Sequence, residues 1–216
     1  LFIKFADGRH LFFRKCNKVI ITLGTSWCYR NIESGRIVCN CLKHPAREFT
    51  REFLPADKTA ALLNGIIELC RKEFIFTVSP IRHFKDGAHG NQISKSTLLL
   101  AIEDLMTGLP VNLSINPFYP ADYFPAYEIM LDELRDYRFY AEDMVHPSSV
   151  AVEYIWQRFV ETYMTMDTQN EMRTLHQLWR DRQHRFLHPD SLEAHTFQEK
   201  LNQRIGLLQS SYPWIK

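Results

Sequence analysis

Two short runs of mainly apolar, largely β-branched or aromatic residues place the strongest limit on how this chain can fold. Residues 19–23 end at Gly24, and residues 74–78 end at Ser79 and Pro80, where proline cannot donate to a sheet ladder. Runs without polar alternation are typical of strands buried on both faces of a parallel sheet. Between the two runs, apolar residues recur at helical spacing: Leu62, Leu63, Ile66, Ile67 and Cys70. The pattern predicts a right-handed β-α-β unit and therefore an α/β fold with a parallel central sheet.

The segments around this unit have their own signals. The helix between the strands is expected to begin at Asp57, whose carboxylate can accept from free amides of the first turn, and to end near Lys72. Residues 27–41 predict a β-hairpin, with strands around residues 28–31 and 36–40. Later elements are predicted as a helix from Ser94 to about Met106, a strand near Tyr123, a helix over residues 127–134 and an amphipathic helix capped by Ser148 or Ser149.

The carboxy-terminal part of the chain differs in character. Beyond Thr165 the sequence is charged and rich in glutamine, with helical patterns over residues 168–185 and 191–210. We therefore divide the chain into a domain of residues 1–165 and a helical extension of residues 166–216, which should form a helical hairpin.

Composition excludes several classes of partner. Lys plus Arg (26) and Asp plus Glu (25) nearly cancel, and no run of like charge supplies a basic face, so a nucleic-acid partner is not expected. No apolar stretch reaches the length needed to cross a bilayer, so no membrane span is expected either. Five cysteines without a disulfide spacing favour reduced thiols in a cytoplasm. No metal or other cofactor is expected, because Cys39 and Cys41 are too close for a zinc pair.

Three polar loops should emerge at the carboxyl edge of the predicted sheet, where open α/β sheets bind ligands. Residues 24–27 follow the first strand, residues 81–92 are predicted as a loop after the second, and residues 136–146 precede the helix at Ser149. The candidate binding residues on the first two loops are Gly24, Thr25, Arg82, His83, His89 and Asn91.

Asp143 and His146, on the third loop, are the candidate catalytic pair. Hydrolysis through a serine needs a base, and a carboxylate three residues away on a tight turn can hold that imidazole in one tautomer. Alone, this motif is more often a structural helix cap. The convergence of three polar loops at one sheet edge is what favours a site.

Four long strings resemble the GSCFA-domain proteins of bacteria, which are grouped with the SGNH (GDSL-type) hydrolases. They are VIITLGTSWCY (19–29), ESGRIVCNCLKHPAREFTR (33–51), FTVSPIRHFKDGAHGNQISKSTLLLAI (76–102) and YFPAYEIMLDELRDYRFYAEDMVHPSSVAVEYIWQRF (123–159). The resemblance implies a three-layer SGNH-hydrolase-like fold, with His146 as catalytic base and Asp143 as its partner. It further implies an SGNH-type serine ester hydrolase acting on a carbohydrate ester or another small-molecule ester.

The sequence departs from the wider SGNH pattern in two places. The loop at Gly24 matches the region where those enzymes place an oxyanion-hole asparagine, yet Thr25, Ser26 and Trp27 offer none, so a backbone amide, Thr25 Oγ1 or Asn91 would have to serve. The Gly-Ser-Cys-Phe-Ala motif that bears the serine is missing from the printed sequence. We therefore expect the nucleophile to lie upstream of Leu1 and the fold to be incomplete at the amino terminus, so that the portion printed here is inactive alone.

Other interpretations remain open. Arg82 can clamp a carboxylate or phosphate while His83 or His89 orients a substrate, or else Arg82 and Asp86 can simply brace the loop. A non-catalytic ligand-binding protein that keeps the fold is the alternative function. A metal-dependent hydrolase using His83, His89 and Asp143 is a distant third, and neither the substrate nor the oligomeric state follows from the sequence.

Overall fold

A computed structural model describes residues 13–38, 44–108 and 120–212 of the chain. These residues fall into two compact units, one up to Trp156 and one from Gln157. The strands are β1 (Lys18–Leu23), β2 (Trp27–Asn31), β3 (Ile37–Val38), β4 (Phe49–Phe53), β5 (Glu73–Val78) and β6 (Ala121–Phe124). The helices are α1 (Ala56–Cys70), α2 (Gly87–Thr107), α3 (Ala126–Glu128), α4 (Ser149–Tyr163), α5 (Met166–Gln183) and α6 (Leu192–Ser211). Short 3-10 turns lie at Ala46–Glu48, Phe84–Asp86 and Tyr137–Phe139, and α3 continues as a π-helix over Ile129–Glu133.

The central sheet of the first unit is parallel, with the strand order β1-β5-β6. Leu23 of β1 pairs with Val78 of β5, so the two strands end side by side and their following loops leave the same edge. β6 pairs with β5 through Phe124 and Thr77 and supplies the strand predicted near Tyr123. The predicted α/β fold with a parallel sheet is therefore confirmed.

The core of this unit forms where helices α1 and α2 pack together beside the sheet. Every side chain from Phe74 to Val78 is buried, as the apolar run of the middle strand predicted. Phe74 and Phe76 stack with ring centres 5.7 Å apart. The other buried members of the core are Leu63, Ile67, Leu98, Ile102, Leu105 and Tyr127. β1 differs from the expectation of burial on both faces: its exposure alternates along the strand, with Ile20 53% exposed, so the described residues cover only one of its two faces.

The predicted hairpin is part of a second sheet, which is antiparallel with the order β3-β2-β4. Its turn is closed by Asn31, whose side chain accepts from the Ser34 amide at 2.8 Å, and by Gly35 at φ +64°. β4 was not predicted. Residues 39–40 of the predicted second strand, and Cys39 and Cys41, lie outside the described residues.

Two predicted helix starts are wrong. α1 begins at Ala56, directly after Pro55, and Asp57 lies inside its first turn without capping it by a side-chain hydrogen bond. α2 begins at Gly87 rather than Ser94, so residues 87–92 are helical although they were predicted as a loop. A tertiary contact favours this early start: Asn91 is buried, and its Oδ1 accepts the backbone amide of His83 at 2.9 Å.

The second unit contains the two predicted tail helices as α5 and α6. Leu178 and Leu201 are buried between them, and Arg204 reaches Asp181 at 2.8 Å. Ser191 caps α6 by accepting the Ala194 amide at 3.2 Å. Within the described ranges, no helix has the length and apolar character that a bilayer crossing demands.

Candidate active site

Asp143 and His146 form a hydrogen-bonded pair within one tight turn. Asp143 Oδ2 lies 2.6 Å from His146 Nδ1, while Oδ1 accepts the backbone amides of Val145 at 2.9 Å and of His146 at 3.0 Å. The bonds from the two backbone amides, together with the His146 ring, lower the pKa of Asp143 from 3.8 to about 2, so the carboxylate is ionised near neutral pH. A carboxylate on Nδ1 fixes the tautomer and leaves Nε2 as the nitrogen that can take a proton.

The backbone of this turn is closed but strained. Met144 has φ +58°, a left-handed conformation that costs a side-chain-bearing residue about 1 kcal/mol or more. The Ala141 amide donates to His146 O at 2.8 Å, and Tyr140 bridges to Pro147. These bonds make the turn a miniature hairpin that leads directly into α4.

Arg82 joins the loop after β5 to this turn. Its backbone amide donates to Val145 O, and its Nη1 donates to Met144 O, each at 3.3 Å. Its guanidinium lies 3.8 Å from the ring centre of Tyr140 and 5.7 Å from that of Tyr137. The loop after β5 and the Asp143 turn are therefore in direct contact.

The loop after β1 is fixed to helix α2. The hydroxyls of Thr25 and Ser94 lie 2.9 Å apart, the Ser26 amide donates to Ser94 Oγ at 2.7 Å, and Ser26 Oγ donates to Ser94 O at 2.8 Å. Ser26 is only 2% exposed. The Thr25 hydroxyl is thus already engaged, and the Ser26 hydroxyl is not presented as a nucleophile.

Lys95 was missed by the sequence analysis, although it anchors this edge of the sheet. Its side chain is 1% exposed, and its Nζ donates to Gly24 O at 2.6 Å and to Ser79 O at 2.7 Å. The ammonium therefore ties together the ends of β1 and β5. Burial lowers the pKa of Lys95 to about 8. A sequence signal did exist, because Lys95 lies three and seven residues before the core residues Leu98 and Ile102 and so falls on the buried face of α2.

His83 lies against Gly24: a β-carbon built on the glycine would lie 3.6 Å from His83 Nε2. Burial, and next the charge of Lys95, lower the pKa of His83, so its imidazole is neutral near pH 7. Asn91 holds the His83 backbone, as described above. His89 is exposed on the first turn of α2 and, among the described residues, has no hydrogen-bond or ion-pair partner. The structure thus brings together Gly24, Thr25, His83 and Asn91, joins Arg82 to the Asp143 turn, and leaves His89 apart.

A family model described as the GSCFA family matches residues 5–159, well over half of the chain. The chain belongs to the GSCFA family. No curated protein and no solved structure matches it at a significant level. Every contact described for Asp143, Arg82, Gly24 and Lys95 falls within the GSCFA match, whereas α5 and α6 lie beyond residue 159.

Two cavities open beside these residues in the GSCFA region. One of about 240 Å³ is lined by Arg82, Tyr137 and Tyr140 together with residues of the π-helix. The other, of about 430 Å³, is lined by residues of the loop after β1, of the antiparallel sheet and of the loop after β5: Thr25, Trp27, Cys28, Tyr29, Val38, Arg51, His83, Lys85 and Asp86. Within the described part of the chain, His, Cys, Asp and Glu side chains nowhere gather in threes that could hold a metal ion.

Proposed function

We propose that this GSCFA-family chain supplies the acid–base pair of a serine ester hydrolase. His146 is the proposed base and Asp143 its orienting partner. The observation that carries the proposal is the 2.6 Å contact between Asp143 Oδ2 and His146 Nδ1, made by a carboxylate that two further backbone amides hold in place. His146 is also accessible, with 57% of its side chain exposed, as a base that meets a substrate must be.

In the proposed reaction, a serine hydroxyl attacks the ester carbonyl. His146 Nε2 takes the serine proton and then gives it to the departing alcohol, while Asp143 stabilises the imidazolium that forms in between. Water then releases the acyl group by the same proton transfers in reverse order. The substrate class we propose is an acyl or acetyl ester of a carbohydrate or similar small molecule.

The oxyanion would be stabilised by the loop after β1. Thr25 Oγ1 is bonded to Ser94, and Asn91 is bonded to the His83 amide and to Gln92, so both side chains suggested by the sequence are engaged. The backbone amides of Ser26 and Trp27 are also used within the loop. We therefore propose the Thr25 backbone amide as a donor to the oxyanion.

Thr25 Oγ1 and Asn91 are already hydrogen-bonded, and this supports a second candidate function. The chain would then be a ligand-binding protein that kept the fold without efficient hydrolysis. Loss of an oxyanion donor costs about 10²–10³ in turnover, which would leave such a protein nearly inert. Under this view the cavity beside His83 binds a ligand that is not converted.

The test uses the full-length protein and short-chain 4-nitrophenyl esters. We expect His146→Ala and Asp143→Asn each to lower kcat by about 10³-fold or more. The matched control is His195→Ala, which changes an exposed histidine on α6. Equal kcat for wild type and His146→Ala would remove His146 from the mechanism. Wild-type turnover no faster than the buffer reaction, with a ligand still raising the melting temperature, would favour the binding protein.

A further inference from the structure

The cavity of about 430 Å³ lies between the antiparallel sheet and the loop after β5. Trp27 and Tyr29 contribute from β2, Arg51 from β4, and Lys85 from the loop after β5. We call this cavity the Trp27 cleft. Because Thr25 also lines it, the cleft adjoins the carboxyl edge of the parallel sheet, where ligands of open α/β sheets bind.

Two buried ring nitrogens on residues that line the Trp27 cleft lack a hydrogen-bond partner. They are Trp27 Nε1 and His83 Nε2, and Thr77 Oγ1 is the other such atom in the part of the chain that the structure describes. An indole nitrogen can only donate, and less than 1 Å² of Trp27 Nε1 is exposed, so an acceptor in the cleft meets it only if the ring turns. Leaving a buried donor unpaired costs about 1–3 kcal/mol, and native proteins rarely leave that cost unmet.

The charged groups of the cleft also favour an acceptor. Its lining holds two cations, Arg51 and Lys85, and one carboxylate, Asp86. Arg51 already binds that carboxylate, whose side chain is 5% exposed, and its guanidinium lies 4.1 Å from the centre of the Trp27 ring. Lys85 Nζ is 3.5 Å from Tyr29 Oη, a distance at which the ammonium is only weakly held. Because Asp86 is already bound to Arg51, the cleft offers a ligand more hydrogen-bond donors than acceptors.

We propose that the Trp27 cleft is an anion-binding site that takes a carboxylate or phosphate group. Lys85 and Arg51 supply the charged donors, and Trp27 Nε1 becomes a neutral donor once its ring turns toward the anion. In an ester substrate, this carboxylate or phosphate group would lie apart from the ester bond that is hydrolysed. That last step rests on the hydrolase function proposed above, whereas the binding of an anion does not.

The first experiment measures binding without catalysis. Thermal unfolding of the full-length protein is followed while sodium phosphate or sodium benzoate replaces chloride at constant ionic strength. We expect at least one of the two anions to raise the melting temperature of the wild type, and Lys85→Gln to weaken its apparent Kd about five- to tenfold. Lys200→Gln, which changes an exposed lysine of α6, should bind like the wild type. Phosphate acting alone identifies a phosphate site and benzoate alone a carboxylate site.

A second readout follows the fluorescence of Trp27 during the same titrations. The anion should change the emission of the wild type, and the change should vanish in Trp27→Phe, which keeps an aromatic ring against Phe53. The proposal is overturned if neither anion shifts the wild type beyond chloride, or if Lys85→Gln responds like the wild type.

The third experiment assigns the anion to the substrate. The full-length protein is offered 4-acetoxybenzoate and its neutral analogue 4-acetoxybenzamide, which carry the same acetyl ester. We expect kcat/KM to favour the benzoate about tenfold, and Lys85→Gln to remove that preference. Lys85-dependent anion binding without hydrolysis of either ester would refute the hydrolase function but support the anion site. Equal hydrolysis of both esters, without Lys85-dependent anion binding, would support the hydrolase function but refute the anion site.

Discussion

Removal of the Arg82 side chain offers the sharpest test of how the Asp143 turn is held. Arg82→Ala deletes the bond from Nη1 to Met144 O and the stacking on Tyr140, but it keeps the backbone bond from residue 82 to Val145 O. The carbonyl that loses its partner belongs to Met144, the residue at positive φ. The substitution therefore weakens the turn at its most strained point.

The size of the effect follows from these contacts. A charge-assisted hydrogen bond as long as 3.3 Å contributes about 1 kcal/mol, and a partly exposed cation–π contact about 1 kcal/mol more. A loss of about 2 kcal/mol lowers the ratio of closed to open turn by roughly thirtyfold, which is the upper limit for the fall in kcat. Since alanine changes no core contact, the free energy of global unfolding should fall by no more than that amount.

The assay is ester hydrolysis by the full-length protein, with kcat and KM measured separately. We expect Arg82→Ala to lower kcat three- to thirtyfold with KM nearly unchanged, and Arg82→Lys to give a smaller loss. Adding Met144→Gly to Arg82→Ala should recover about fivefold, because glycine adopts positive φ without the strain of about 1 kcal/mol. A higher KM at unchanged kcat would instead show that Arg82 binds substrate. Unchanged kinetics of Arg82→Ala would show that the turn stays closed without the Arg82 side chain.

Three further predictions concern stability. Burial lowers the pKa of Lys95 from 10.5 to about 8, so between these values the unfolded chain binds more protons and wild-type stability should rise with pH, by roughly 3 kcal/mol at most. Urea unfolding of Lys95→Met should lack this rise, and parallel curves for the two proteins would contradict it. The pKa of Asp143 falls from 3.8 to about 2, so its support of the turn should be complete above pH 3.8 and lost on approaching pH 2. NMR signals of the Val145 and His146 amides should report that loss in the wild type but not in Asp143→Asn. Phe76 is 0% exposed, so Phe76→Ala should lower the free energy of unfolding by about 3–5 kcal/mol, measured by urea titration. A loss below 1 kcal/mol would refute its place in the core.

The parallel sheet was predictable because a strand that is buried on both faces consists mainly of apolar residues. Residues 74–78 form a middle strand that neighbours cover, and such a strand can be apolar throughout. β4 was missed for the opposite reason. Its sequence FTREF carries Arg51 and Glu52, and its backbone bonds are made to β2, which is distant in the sequence. Local pattern cannot show a pairing that depends on a remote strand.

The site was predictable to the extent that one short segment builds it. Asp143 and His146 are three residues apart, so their contact needs only one turn, and the spacing predicts it. The burial of Lys95 depends on segments far apart in the sequence, and the early start of α2 depends on a bond from the His83 amide to the Asn91 side chain, which no helical or strand period predicts. A lysine is rarely buried unless acceptors surround it, and those acceptors are carbonyls at the ends of two strands.

The position of Lys95 has one more consequence. Where carbonyl oxygens converge in other proteins, a monovalent cation or an ordered water often fills the gap, and either can exchange with solvent. In this chain the positive charge is covalently attached to α2, so it can neither be chelated nor diluted away. The spacing of the two strand ends should therefore be indifferent to the choice of counterion in the buffer, and it should respond only to changes in protonation or in helix α2 itself.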